Sequence, residues 1–226
     1  STSCLLFISF PPPSSQGGGG LYIFGGSEVT ISGGSAVTDC SAGEHGGGLM
    51  ISDGSKATIS GGSAVTDCSA ESYGGAIMVN EAKLMISDLS KITNNQAGYY
   101  GGGLYVMVSE TTVADSWVTG NTAGSGGGGI EPVGSTGQTS LNLIGATVKN
   151  NFRTDPDLVP DDIGGTGPTC SSDCDAGTYG NCTRETASGF SCPSCVIDQC
   201  IACASGTARD TSGATSADDC VACGEG

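Results

Sequence analysis

Residues 31–42 read ISGGSAVTDCSA, and residues 59–70 repeat that string unchanged, 28 positions later. Self-similarity at a period of 20–50 residues commits a chain to a solenoid, a propeller or another stacked array. The period persists where identity fades. Glycine-led starts followed by an aliphatic residue fall at Gly18-Gly19-Gly20-Leu21, Gly46-Gly47-Gly48-Leu49, Gly74-Gly75-Ala76-Ile77, Gly101-Gly102-Gly103-Leu104 and Gly127-Gly128-Gly129-Ile130, in steps of 28, 28, 27 and 26. Five units follow one another without a gap.

Within a unit, aliphatic residues alternate over short runs, as in Leu21/Ile23, Val29/Ile31 and Val37, then Leu49/Ile51, Ala57/Ile59 and Val65. Period-two runs punctuated by Gly, Ser, Asp and Asn predict strands and tight turns. Residues 17–165 carry no helical period. Three predicted strands in about 27 residues fit one coil of a parallel β-helix, whereas propeller blades need roughly 40 residues or more. The expected fold is therefore all-β, a solenoid of about five coils. A lone coil cannot bury enough to fold, so coils come stacked.

Equivalent residues of successive coils stack at the strand spacing of about 4.8 Å. Leu21, Leu49, Ile77, Leu104 and Ile130 form one predicted ladder; Val37, Val65, Ile92, Val118 and Val148 form another. Three residues beyond the second stand Cys40, Cys68, Asn95, Asn121 and Asn151. Stacked Asn side chains can satisfy each other and the bending backbone.

The pairing of a GG-(A/G)-(L/I) start with a (V/I)-x-x-N end resembles the repeat of chlamydial polymorphic outer-membrane proteins and related right-handed β-helix surface proteins. Gly74-Gly75-Ala76-Ile77 matches the GGA-(I/L/V) motif of that family. Ile92-Thr93-Asn94-Asn95, Val118-Thr119-Gly120-Asn121 and Val148-Lys149-Asn150-Asn151 resemble its FxxN motif with an aliphatic residue in place of Phe. The resemblance covers residues 17–165 and implies a right-handed parallel β-helix at a cell surface. It names no activity, since such repeats are scaffolds.

A net charge of −16 with only seven Lys and Arg leaves no basic stripe for nucleic acid or for an anionic membrane. The acidity reads as a solvated, self-repelling surface. Its best calcium candidate is the run Asp155, Asp157, Asp161 and Asp162, which lacks EF-hand or nonapeptide spacing and more simply marks the last turn. Residues 4–10, CLLFISF, read either as the tail of a signal peptide or as part of an earlier coil, and both chain ends look cut. No transmembrane segment is present, and anchoring of a longer protein stays open.

Composition changes after Gly165, where a domain boundary is expected: an N-terminal segment 1–16, a solenoid 17–165 and a cysteine-rich module 166–226. Nine of twelve cysteines fall there: Cys170, Cys174, Cys182, Cys192, Cys195, Cys200, Cys203, Cys220 and Cys223. Paired CxxC motifs admit zinc, but their spacing is short for it and the lone histidine, His45, lies in the other domain. Disulfides are the preferred reading for a segment with so little aliphatic core, and an odd count leaves one partner elsewhere. Cys200-x2-Cys203-Ala204-Ser205-Gly206-Thr207 with Cys220-x2-Cys223, and the start Cys174-Asp175-Ala176-Gly177-Thr178-Tyr179, resemble the ephrin-receptor-like cysteine-rich repeat, with EGF-like and furin-like modules nearby. Asn181-Cys182-Thr183 is the one glycosylation sequon.

Cys40 and Cys68 are expected either as a disulfide between coils or as a pair of buried thiols. His45, Tyr73 and Tyr100 each precede a glycine start and should stack on one turn, as packing or as an aromatic strip for carbohydrate. Thr38, Thr66, Thr93 and Thr119 form a further row that lacks a flat ice-binding array. β-Helix lyases and hydrolases need an Arg or Lys base, or convergent carboxylates; Lys56, Lys83, Lys91, Lys149 and Arg153 sit beside no consistent acidic cluster, and no nucleotide or hydrolase motif occurs. The sequence thus points to an extracellular structural or adhesive scaffold that meets proteins or glycans. A carbohydrate-active enzyme or glycan-binding module is the alternative.

Overall fold

The computed structural model describes residues 17–134, 138–154, 159–161 and 163–164, and beyond them only the backbone of short strands between 178 and 222. The described part is all-β. Four strands build each coil, in the order A, B, C, D of the sheets they join. Sheet A stacks β1 (Leu21–Ile23), β5 (Leu49–Ser52), β9 (Ile77–Asn80), β13 (Leu104–Met107) and β17 (Ile130–Val133). Sheet B stacks β2 (Glu28–Ile31), β6 (Lys56–Ile59), β10 (Lys83–Ile86), β14 (Glu110–Ala114) and β18 (Ser140–Ile144). Sheet C stacks β3 (Ala36–Thr38), β7 (Ala64–Thr66), β11 (Lys91–Thr93), β15 (Trp117–Thr119) and β19 (Thr147–Lys149). Sheet D stacks β4 (Ser41–Ala42), β8 (Ser69–Ala70), β12 (Gln96–Ala97), β16 (Thr122–Ala123) and β20 (Phe152–Arg153).

Pairing between coils is parallel throughout. The sequence predicts three strands per coil; the fourth, in sheet D, is a correction. Its strands are two residues long, too short to show a period, and their inward member is the small row Ala42, Ala70, Ala97 and Ala123, buried in the first four coils, with the partly buried Arg153 in the fifth.

Both predicted aliphatic ladders are in register: Leu21↔Leu49↔Ile77↔Leu104↔Ile130 in sheet A and Val37↔Val65↔Ile92↔Val118↔Val148 in sheet C. From the second coil on, their members are fully buried. Burial of each such side chain stabilises by about 1.5–3 kcal/mol. Leu21, Val29, Ile31 and Val37 of the first coil are only partly buried, as befits the end of a stack.

The glycine starts follow from the turn that carries sheet D into sheet A. In the third coil Gly74 has φ +66°, a left-handed conformation. A Cβ on Gly75 would fall 2.4 Å from backbone atoms of Gln96 and Gly102. In this coil the third position holds a methyl, Ala76, fully buried.

Beyond the fifth coil, β21 (Val159–Pro160) pairs antiparallel with β20. Phe190–Ser191 extends sheet B beside β18, and Val196–Ile197 extends sheet C beside β19. Sheets B and C thus take in backbone from beyond Gly165. The cysteines from Cys170 to Cys223, the sequon Asn181, and Asp155, Asp157 and Asp162 have side chains outside the described residues. No helix among the described residues is long and apolar enough to cross a membrane.

Candidate functional site: the interior ladder and its thiols

Sheet C turns into sheet D through one left-handed residue per coil: Asp39 (φ 56°), Asp67 (φ 55°), Asn94 (φ 58°), Gly120 (φ 70°) and Asn150 (φ 56°). Asp, Asn and Gly tolerate this region better than other residues do. The ladder residue comes next in the chain. Asp39 and Asp67, a stacked pair in sequence, are therefore explained by backbone geometry.

Each ladder Asn reaches back to a backbone carbonyl of the preceding coil. Asn95 Nδ2 donates to Thr93 O at 2.9 Å and to Val65 O of the preceding coil at 3.1 Å. Asn121 Nδ2 reaches Ile92 O, and Asn151 Nδ2 reaches Val118 O, both at 2.9 Å. The carboxamide oxygens work in the same direction. Asn121 Oδ1 accepts the backbone N–H of Asn95 at 3.0 Å and its Nδ2 at 2.9 Å. Asn95 Oδ1 accepts the N–H of Cys68 at 3.0 Å. All three Asn are buried, and their bonds satisfy backbone groups that the turn would otherwise strand.

Cys68 takes the donor half of that role. Its thiol donates to Thr66 O at 3.3 Å and, more weakly, toward Val37 O at 3.8 Å. Those carbonyls correspond to Thr93 O and Val65 O one coil on. Sulfur supplies no carboxamide oxygen, so the N–H of Cys40 faces the Cys68 sulfur instead. Cys40 donates to Thr38 O at 3.4 Å. Both are free thiols in this structure, Cys40 partly buried and Cys68 buried. The single Cys68 S–H can donate to the Cys40 sulfur in place of the Thr66 and Val37 carbonyls; that bond stabilises the Cys40 thiolate and brings its pKa down to about 7, against burial and the Asp39 carboxylate. Loss of that proton-sharing arrangement, and burial, push the Cys68 thiol up. Sequence reasoning placed the pair in the Asn row but not the bonds by which the thiol stands in for a carboxamide; the left-handed residue one position earlier marks the shared turn.

His45, Tyr73 and Tyr100 stack as expected, bridged through their backbones. Ring centroids lie 5.1 Å apart for His45–Tyr73 and 6.0 Å for Tyr73–Tyr100, with Tyr105 4.9 Å from Tyr73. The rings face each other, so Tyr73 offers a sugar little open face. The Thr row is in register as well. Thr38 and Thr66 hydroxyls donate to Asp39 and Asp67 at 2.9 Å.

Three of the four coil lysines pair with neighbouring coils: Lys56 with Glu28 at 2.6 Å, Lys83 with Glu110, and Lys91 over the Trp117 ring. A shallow groove of about 470 Å³ follows the A-to-B turns, lined by Glu81, Lys83, Val108, Glu110 and Gln138. Asp161 acts as a closing residue. Its Oδ2 accepts the Gly127 N–H at 2.9 Å, its O accepts from Gly129 at 3.1 Å, and its N–H donates to Asn151 O at 2.8 Å. Among the described residues, no three His, Cys, Asp or Glu side chains gather as a metal site.

Comparison with protein-family models, curated proteins and solved structures finds no match for this chain.

Proposed function

We propose that the chain is a structural or adhesive module of a secreted or cell-surface protein, a stiff display surface without a catalytic role or a cofactor. The carrying observation is the unbroken in-register pairing of five coils in four sheets. It repeats outward side chains about every 4.8 Å over a rise of roughly 19 Å. Such a surface suits repetitive contact with other extracellular proteins or glycans. The likeness of its GGA-aliphatic and aliphatic-x-x-Asn motifs to chlamydial polymorphic outer-membrane protein repeats supports a surface location. So does the ephrin-receptor-like pattern of the cysteine-rich end, since disulfides belong to oxidising compartments.

Binding of the full chain to immobilised glycans and matrix proteins, with no product released, is the expected result. Depolymerisation of a uronate polymer, abolished by replacing one acidic residue, would replace this reading with a carbohydrate-active enzyme.

A further inference from the structure

We propose that Cys40 and Cys68 form a peroxide-reactive dithiol that closes into a disulfide between the first two coils, with Cys40 attacking and Cys68 resolving. The inference does not depend on the adhesive reading. Thr38↔Thr66 and Ser41↔Ser69 pair on either side of the cysteines, and Ser69 N–H donates to Cys40 O at 2.8 Å. The two Cα atoms are thereby held near the strand spacing of about 4.8 Å, inside the 4.4–6.8 Å span of bridged cysteines. Parallel side chains in register must still swivel toward each other. Cys40 is the less enclosed of the two, being only partly buried in the end coil.

Access separates the roles. Cys40 is half-buried, whereas Cys68 is 1% exposed. A dissolved peroxide therefore meets Cys40 first, the thiol with the lowered pKa. The Cys40 thiolate attacks a peroxide oxygen, forming an S–O bond as the O–O bond breaks. Sulfenic acid is left on Cys40, and the departing alkoxide or hydroxide takes up a proton. The Cys68 sulfur then attacks Cys40 Sγ, the S–S bond forms, the S–O bond breaks, and hydroxide leaves with the Cys68 proton as water. Two electrons pass from the thiols to one peroxide.

The surroundings favour a bridge over a larger adduct. A Cβ on Gly20 would come 2.8 Å from Cys40 Sγ, and one on Gly48 would come 3.3 Å from Cys68 Sγ. Space beside both sulfurs is thus limited to a glycine, while a disulfide adds no atoms.

The test uses the full chain, reduced, freed of reductant and treated with hydrogen peroxide. Cleavage at Glu28, Glu44 and Glu71 places the two cysteines on separate peptides that hold no other cysteine. Mass spectrometry should find those peptides joined through Cys40 and Cys68. In Cys68→Ser, dimedone should trap sulfenic acid on Cys40. In Cys40→Ser, Cys68 should oxidise at least about tenfold more slowly than Cys40 does in the parent. The proposal is overturned if both thiols remain open to maleimide after denaturation while added glutathione is oxidised. Linkage of Cys40 to any other cysteine, or undiminished Cys68 oxidation in Cys40→Ser, overturns it equally. The parent measurement needs no variant to fold.

Discussion

Asn121 and Asn151 are joined twice: Asn151 Oδ1 accepts both the backbone N–H of Asn121, at 3.0 Å, and its Nδ2, at 2.9 Å. One carboxamide oxygen therefore fixes the backbone and the side chain of the preceding coil together. Replacing Asn121 by Ala removes the acceptor for Asn95 and the donor for Ile92 O inside the stack. The expected loss is about 3–5 kcal/mol, from several buried groups left unpaired. Urea unfolding measures it, and a loss under about 1 kcal/mol would remove the ladder from the stability of the fold.

Cys68→Asn should stabilise the reduced chain. The new Oδ1 would accept the Cys40 N–H, and Nδ2 would donate to Thr66 O and Val37 O, copying Asn95. A gain of about 1–2 kcal/mol is expected. A lower urea midpoint than the parent would show that sulfur fits this coil better than a carboxamide.

Two adjacent glycine-start positions should respond very differently. Gly75→Ala drives a methyl into fixed carbonyl groups of Gln96 and Gly102, and should cost more than about 3 kcal/mol or prevent folding. Ala76→Gly loses one buried methyl and adds chain entropy, about 1–2 kcal/mol together. Thermal melts of both variants check the contrast.

Alkylation of Cys40 by iodoacetamide should rise with pH around a midpoint of about 7. The sign is set by chemistry: the thiolate reacts, and the Cys68 hydrogen bond favours the thiolate in the folded chain. Asp39 is the charged group opposing it. In urea the midpoint should move up toward about 8.5, the value of an unperturbed thiol. Cleavage at Glu28 and Glu44 isolates Cys40 from the other cysteines, Cys4 included.

Burial raises the Asp161 pKa, opposed by the Gly127 N–H and by Arg153. The folded chain therefore holds that proton more tightly than the unfolded one. Stability from this group is full below the unfolded value of about 4 and is lost as pH rises through the folded value. Asp161→Asn, which keeps an acceptor for Gly127, should be at least as stable as the parent near pH 7, with that advantage shrinking toward about pH 4. Urea midpoints at both pH values test it.

The solenoid and its register were legible because glycine starts and inward aliphatics recur at nearly constant spacing, and in-register stacking turns spacing directly into contact. The ladder of Leu21 to Ile130 needed only counting. Sheet D was not legible, since Ser41–Ala42 and its equivalents are too short to carry a period. The left-handed turn was written as Asp, Asn or Gly before each ladder residue, which reads as ordinary loop composition until φ values unite the row. The thiol pair could be located in the sequence, but the different exposures of Cys40 and Cys68 arise from where the stack ends.

Each interior carboxamide binds only its own coil and those directly beside it. Nothing in that wiring counts how many coils there are. A gene encoding such a stack can gain or lose a coil's worth of sequence by unequal recombination, and the joined coils find matching partners at once. The identical strings at 31–42 and 59–70 are the trace such an event would leave. Length itself then becomes a heritable trait on which selection can act without passing through an unfolded intermediate form.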